Sequence, residues 1–312
     1  MFRKLTAVIL TGLTVGTVVS CLVQIFLKSV DFLSVIFKRD FETLLATSKS
    51  QNHDIFNTVI YFILLPTLIG LIVGFIRTFN KDKRWHGPPD VILSVHQEKN
   101  ELNIKSGFLT SLASVLSISS GSSVGQYGPL VHFGATIGAE LKKLFQQLPD
   151  YKILVGSGVA SAISAGFGAP LAGLIFAREV ILRHQSLISF SPILLSSIIS
   201  YVITVKVFEY EPTFTIPEVT IQNPYTILFL IISGVFCGVF ATLYSNLLSS
   251  KKFKFLDNVF SKSYLNPALA GLICGIVAIK FPEVTGIGAE TINNLINNEI
   301  DFEFALIFLF FK

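Results

Sequence analysis

The sequence predicts an all-α integral membrane protein, and three observations carry that fold class. Only 14% of the 312 residues are charged while 51% are hydrophobic, against about 25% charged in an ordinary soluble domain. Mean hydropathy is +0.66 and twenty-nine residues are phenylalanine, a composition suited to lipid rather than water as the surrounding solvent. Apolar segments recur along the whole chain, and several are too short to cross a bilayer at about 20 residues per helical span. Helices broken by glycine and proline are tolerated inside a membrane only where their backbone lines a polar cavity or is buried in protein. The expectation is therefore a bundle of tilted and broken helices around a solute path.

The first apolar segment starts MFRKLTAVILTGLTVGTVVSC, which has the layout of a lipoprotein signal. The run does not stop at Cys21 but continues through LVQIFL to Lys28, giving about 23 residues, enough for a first span. A second span is expected over 55–78. Segments 107–124 and 130–146 flank the stretch GSSVGQYGPLVHFGATIG (Gly121 to Gly138). Segments 153–167 and 169–184 follow, and GSGVASAISAGFGAPLAG (Gly156 to Gly173) is dense in small residues, which suits close helix contact in lipid. Further helices are expected over 187–207, 223–249 and 264–281. The last segment, 303–311, holds only about nine apolar residues, so the sequence is expected to stop part-way through a helix. Basic clusters at Arg3 and Lys4, at Arg77, Lys81, Lys83 and Arg84, and at Lys142, Lys143 and Lys152 are expected on the cytoplasmic side. The mixed-charge segment 38–54 is expected to be an external loop.

Several function classes drop out. The net charge of +4 comes without a run of five or six basic residues, so no nucleic-acid partner is expected. Cys21, Cys237 and Cys274 lie in apolar runs without CxxC or Cys/His spacing, so they read as small buried hydrophobes, and neither a metal nor a cofactor is expected. No nucleophile motif with a histidine partner and no concentration of carboxylates is present, which argues against an enzyme.

In Gly125-Gln126-Tyr127-Gly128-Pro129, proline is expected to mark a helix start, because at the first helical position its missing N–H would be an orphan anyway. The N–H groups of Gln126, Tyr127 and Gly128, with the positive end of the helix dipole, would then form a site for an anion. The same local pattern also fits a glycine-rich kink that only packs against its neighbours. WHGPPD (Trp85 to Asp90) has the same grammar, and GFGAPLAGLIFAREV (Gly166 to Val180) is a further Gly/Ala-Pro break followed by an apolar helix with Glu179.

These segments resemble the CLC family of chloride channels and proton-coupled chloride transporters. GQYGPLVHFGATIG is similar to that family's G-[KR]-E-G-P-x-V-x-x-G-x-x-[IL]-G segment, GFGAPLAGLIFAREV to its F-N-A-P-L-A-G-x-x-F-x-x-E-E segment, and FPEVTGIGAETI (Phe281 to Ile292) to its V-T-G-x-G-Y segment. The resemblance implies a homodimer with a separate anion pore in each subunit, built from two inverted repeats. Residues 1–210 would form the first repeat and 211–312 the opening helices of a second, incomplete one. It also implies anion-binding positions at Gly125, Gln126, Tyr127, Gly128, His86 and Gly87, with chloride or a similar small anion as the bound and transported ion. The family's G-x-F-x-P loop and pore tyrosine have no counterpart in this sequence.

Three departures shape the functional expectation. Tyr127 replaces the family's gating glutamate; with an ordinary pKa of about 10 a phenol stays neutral at pH 7 and offers an O–H donor instead of a competing charge. Val180 stands where the proton-coupled members carry a second, proton-relaying glutamate, and Glu179 matches the first, mainly structural, position. His86 stands where the family usually has a serine, and histidine, with an ordinary pKa of about 6.5, gains charge in mild acid. His132 and Trp85 are expected to serve packing, and the serines of SISSGSS helix contact or the pore wall. The resulting expectation is a passive, proton-uncoupled chloride channel gated at Tyr127, in a lipid bilayer, specifically a bacterial inner membrane. The alternatives are an exchanger that routes protons through His86 or Tyr127, and a non-conducting membrane protein.

Overall fold

A computed structural model describes residues 2–48, 54–80, 82–97, 102–144, 150–183, 187–210, 214, 224–248, 264–297 and 300–311. Among these residues every regular element is helical. The first helix, α1 (Phe2–Ser48), is 47 residues long. Its apolar window, Thr6–Phe37, has 32 residues and therefore a length of about 48 Å, long enough to span a ~30 Å hydrocarbon core even when tilted. The external loop expected over 38–54 is instead helical through Ser48. VDFLSVIFKRDFETLLATS contains no glycine or proline, so nothing in it breaks the helix.

The remaining helices are α2 (Asp54–Thr78), α3 (Pro88–His96), α4 (Ile104–Ser119), α5 (Tyr127–Leu144), α6 (Tyr151–Phe167), α7 (Pro170–Phe176), α8 (Leu187–Lys206), α9 (Pro224–Leu248), α10 (Asn266–Lys280), α11 (Ala289–Ile296) and α12 (Phe302–Phe311). The helix expected over 169–184 is two pieces, since α7 gives way to a wide π-helical turn at Ala177–Leu182. Windows in α1, α2, α8 and α9 are long and apolar enough to cross a membrane, whereas α4, α6 and α10 are shorter apolar helices. Capping follows the local sequence. The Asn103 side chain accepts the Lys105 N–H at 2.8 Å to start α4, and the Asp150 side chain accepts the Tyr151 N–H at 2.8 Å to start α6, as expected of N-cap residues. Gly168, in the left-handed region at φ 66°, ends α6.

The hub is α6, buried without a break from Leu154 to Gly166, as a helix apolar or small on every side should be. It packs on α5 by direct backbone approach. A Cβ on Gly158 would collide with the Gly134 carbonyl, and a Cβ on Gly134 with the Gly158 carbonyl. Such small-residue contacts replace the hydrophobic driving force that is missing between helices in lipid. Against α8 the contact is made by serines: Ser164 Oγ donates to the Ser197 carbonyl at 2.7 Å, and Ser200 Oγ to the Ser161 carbonyl at 2.8 Å. Gln24 of α1 donates its side-chain amide to the Ala165 carbonyl at 3.1 Å, tying the longest helix to the end of the hub. Past α10, the Gly286 N–H donates to the Gly121 carbonyl at 3.3 Å. That bond borders a cavity of about 450 Å³ between α1, α2, α4 and segment 282–294, lined in part by Asp31, Tyr61, Ser120, Glu283 and Thr285.

Candidate functional site

Helix α5 begins at Tyr127, so Pro129 is its third residue rather than its first. The Leu130 N–H donates to the Gln126 carbonyl at 3.2 Å, which makes Gln126 the cap. Proline in the third position still removes only an N–H that the helix cannot use. Among the described residues, the N–H groups of Gln126, Tyr127 and Gly128 meet no backbone carbonyl. Gln126 is buried, Tyr127 and Gly128 are half-buried, and Gly125 is exposed. Three donors without a backbone carbonyl partner therefore lie at the positive dipole end of an 18-residue helix, the end that favours a negative charge.

The start of α3 is built differently. Gly87 is its cap, with Pro88 and Pro89 in the first turn. The Gly87 N–H donates to Asp90 Oδ2 at 2.9 Å, the prolines have no N–H, and the Asp90 N–H donates back to the Gly87 carbonyl at 3.0 Å. Asp90 also accepts from the Arg84 guanidinium. Gly87 thus stands beside α5 with its own N–H committed, and α3 offers the site a side chain, His86, rather than backbone donors.

The two starts touch. Pro88 Cδ lies 3.7 Å from the position a Cβ on Gly128 would take. His132 is four residues beyond Gly128, and helical side chains lean back over the preceding turn, so its ring covers the face that glycine leaves open. There it stacks on His86, ring centroids 5.5 Å apart and planes inclined by 24°. His86 Nδ1 is 3.5 Å from Asp90 Oδ1, and the His86 side chain is 10% exposed. His132 is 1% exposed. Trp85, immediately before His86, is half-buried.

Tyr127 lies flat on Phe167, with centroids 3.7 Å apart and planes inclined by 13°. Behind this stack the Tyr210 hydroxyl donates to the Gly166 carbonyl at 3.4 Å. Val180 lies elsewhere. It is exposed in the π turn, which is fastened to the far end of α3 by a 3.2 Å contact between His96 Nε2 and the Ile181 carbonyl. The nine residues of α3 span about 13 Å, and that length separates Val180 from Gly87. Glu179 is exposed beside it, while Arg178 places its guanidinium 5.2 Å from the Phe190 ring centroid.

A family model described as "Voltage gated chloride channel" matches residues 67–312. The chain belongs to the voltage-gated chloride channel family. Membership of this channel family agrees with the expectation that the chain is not an enzyme. A relative within it, the voltage-gated ClC-type chloride channel ClcB of Escherichia coli, is 26% identical over 239 residues, covering 75% of this chain and 56% of that protein. The chain therefore spans little more than half that relative's length. Its fold is similar to that of a slow cyanobacterial Cl-/H+ antiporter, with a TM-score of 0.80 at 20% identity over 99% of this chain and 71% of that one. A CLC-type fluoride/proton antiporter gives a TM-score of 0.78 at 19% identity over 97% of this chain and 72% of that one. Identities this low speak for the fold alone, and that fold is the all-α CLC-like membrane bundle the sequence predicts.

Of the residues expected at the site, the segment Gly125 to Gly128 and the segment His86 with Gly87 are brought together where Pro88 meets Gly128, and Val180 is set apart. Sequence reasoning missed Phe167, Tyr210 and the pairing of His132 with His86. A signal existed for the first, since Phe167 directly precedes the break at Gly168. None existed for Tyr210.

Proposed function

We propose that the chain carries a passive, proton-uncoupled path for chloride or a similar small anion across a lipid bilayer. The start of α5 carries this reading: three N–H groups without backbone carbonyl partners stand at a helix end, beside a phenol ring stacked on Phe167. Gly125 to Gly128 would hold the anion on one side and His86 would face it from α3. Tyr127 is the gate, and leaving Phe167 is its opening step. Val180 carries no proton, which supports uncoupled flux. The relatives named as chloride channels support small anions as cargo.

The test is flux from chloride-loaded liposomes holding the purified chain, followed with a chloride electrode and a pH dye. Chloride efflux without proton movement is expected. Proton movement in fixed ratio to chloride would establish the second reading, exchange by a proton route through His86 or Tyr127. The absence of chloride flux would overturn both and leave a non-conducting protein. Phe167→Ala removes the stack on Tyr127, worth about 0.5–1.5 kcal/mol, and is expected to raise chloride efflux roughly two- to tenfold.

The same reading places the protein in a bacterial inner membrane, with residues 1–210 as one repeat and 211–312 opening a second. It also makes the protein a homodimer through α7 and α8, whose Leu171, Ile175, Ile198 and Val202 side chains are exposed. Chemical cross-linking in membranes, with a dimer-sized band expected, tests the last point.

A further inference from the structure

We infer that the stacked pair His86 and His132, together with the start of α5, forms one composite site that takes up a proton along with the anion, so that acid strengthens anion binding. The inference rests on the anion reading of the α5 start. Its own ground is two ring nitrogens, His86 Nε2 and His132 Nδ1, which are buried and have no hydrogen-bond partner at the place where the two helix starts meet. Histidine is the side chain whose charge ordinarily changes between pH 5 and 8.

The groups facing the pair fix the charge balance. From α3, Asp90 is shared: it pairs with Arg84, whose side chain is 51% exposed, and its Oδ1 lies 3.5 Å from His86 Nδ1. From the preceding loop, Asp82 Oδ2 lies 3.9 Å from His86 Nε2 and its side chain is 55% exposed, so water and salt screen it. From α5 there is His132 itself, and Tyr127, a phenol. A charge on one imidazole disfavours a charge on the ring stacked against it, so the first proton taken up by the pair opposes a second. His132 is sealed in, and the proton exchanges with solvent through His86. Asp90 divides its charge between His86 and Arg84, and an anion at Gln126, Tyr127 and Gly128 supplies a second counter-charge. Linkage then works in both directions: bound anion raises proton affinity and bound proton raises anion affinity. In this role the proton tunes occupancy and is not carried across.

The experiment uses the purified chain in detergent at pH 6.5, weakly buffered, titrated with sodium chloride while a pH dye records proton uptake, with chloride affinity measured separately between pH 7.5 and 5.5. Up to one proton is expected to enter per chain on saturation, and chloride affinity is expected to rise as pH falls, by at most tenfold per pH unit. Sodium gluconate is expected to produce no uptake. His86→Asn is expected to abolish uptake and make chloride affinity independent of pH, with size-exclusion profile and melting temperature reporting whether the variant is folded. The unmodified chain decides the matter without any variant. Chloride binding with constant affinity and no proton uptake would overturn the composite site and leave the anion reading standing. No chloride binding at any pH would overturn both.

Discussion

Tyr127→Glu is expected to suppress chloride flux more than tenfold at pH 7.5 and to release it as the pH falls below about 4. A carboxylate placed at the first position of α5 accepts the N–H groups that the anion would use, and hydrogen bonds to a charged group are worth about 1.5–3 kcal/mol, or roughly ten- to over a hundredfold in occupancy. An unperturbed glutamate titrates near 4.3, and the helix dipole and N–H donors favour its charged form, so the release lies at or below that value. The sign follows: protonation on lowering the pH removes the competing charge and flux rises. Efflux from liposomes measured across pH 4 to 7.5 checks it. A Tyr127→Glu profile identical to that of the unmodified chain would mean that the start of α5 is not on the anion path.

Gly158→Leu is expected to leave little folded protein. The backbones of α5 and α6 touch at Gly134 and Gly158, so any side chain there must push the two helices apart. Overpacking of a close contact typically costs about 1–3 kcal/mol, and a leucine driven against a carbonyl lies at the upper end. Gly238→Ala on α9, where an added Cβ meets no atom within 4 Å, is the matched control with no expected change. Melting temperature in detergent and membrane yield compare the two. The same push separates the helix that carries Tyr127 from the helix that ends in Phe167, so a milder Gly158→Ala variant that still folds is expected to conduct more than the unmodified chain.

Much of this architecture is legible from residue chemistry because lipid leaves few alternatives. Low charge and high hydropathy name the solvent, and the proline-glycine clusters at 85–90 and 125–129 name two helix starts, since proline in the first turn of a helix removes no usable N–H. The misreadings share a cause. The mixed-charge run after Phe37 looks like a loop because charges correlate with turns, yet nothing in it breaks a helix, and α1 continues. The π turn at Ala177–Leu182 has no residue signature distinct from an ordinary helix. At the site, the donors of α5 follow from local sequence. The closure of α3 by Asp90 is also local and was readable from the three-residue spacing to Gly87. The pairings of His132 with His86, and of Tyr210 with the end of α6, join positions far apart in the chain and come only from how α3, α5, α6 and the end of α8 are stacked.

Trp85 gives the helix-start cluster an optical handle. It is the single tryptophan of the chain and the residue next to His86, so the indole emission of the whole protein originates at one place. A change in charge on the neighbouring imidazole, or an ion arriving at α5, alters the brightness and colour of that emission with no label attached. The protein thus reports on its own candidate site under ordinary ultraviolet excitation.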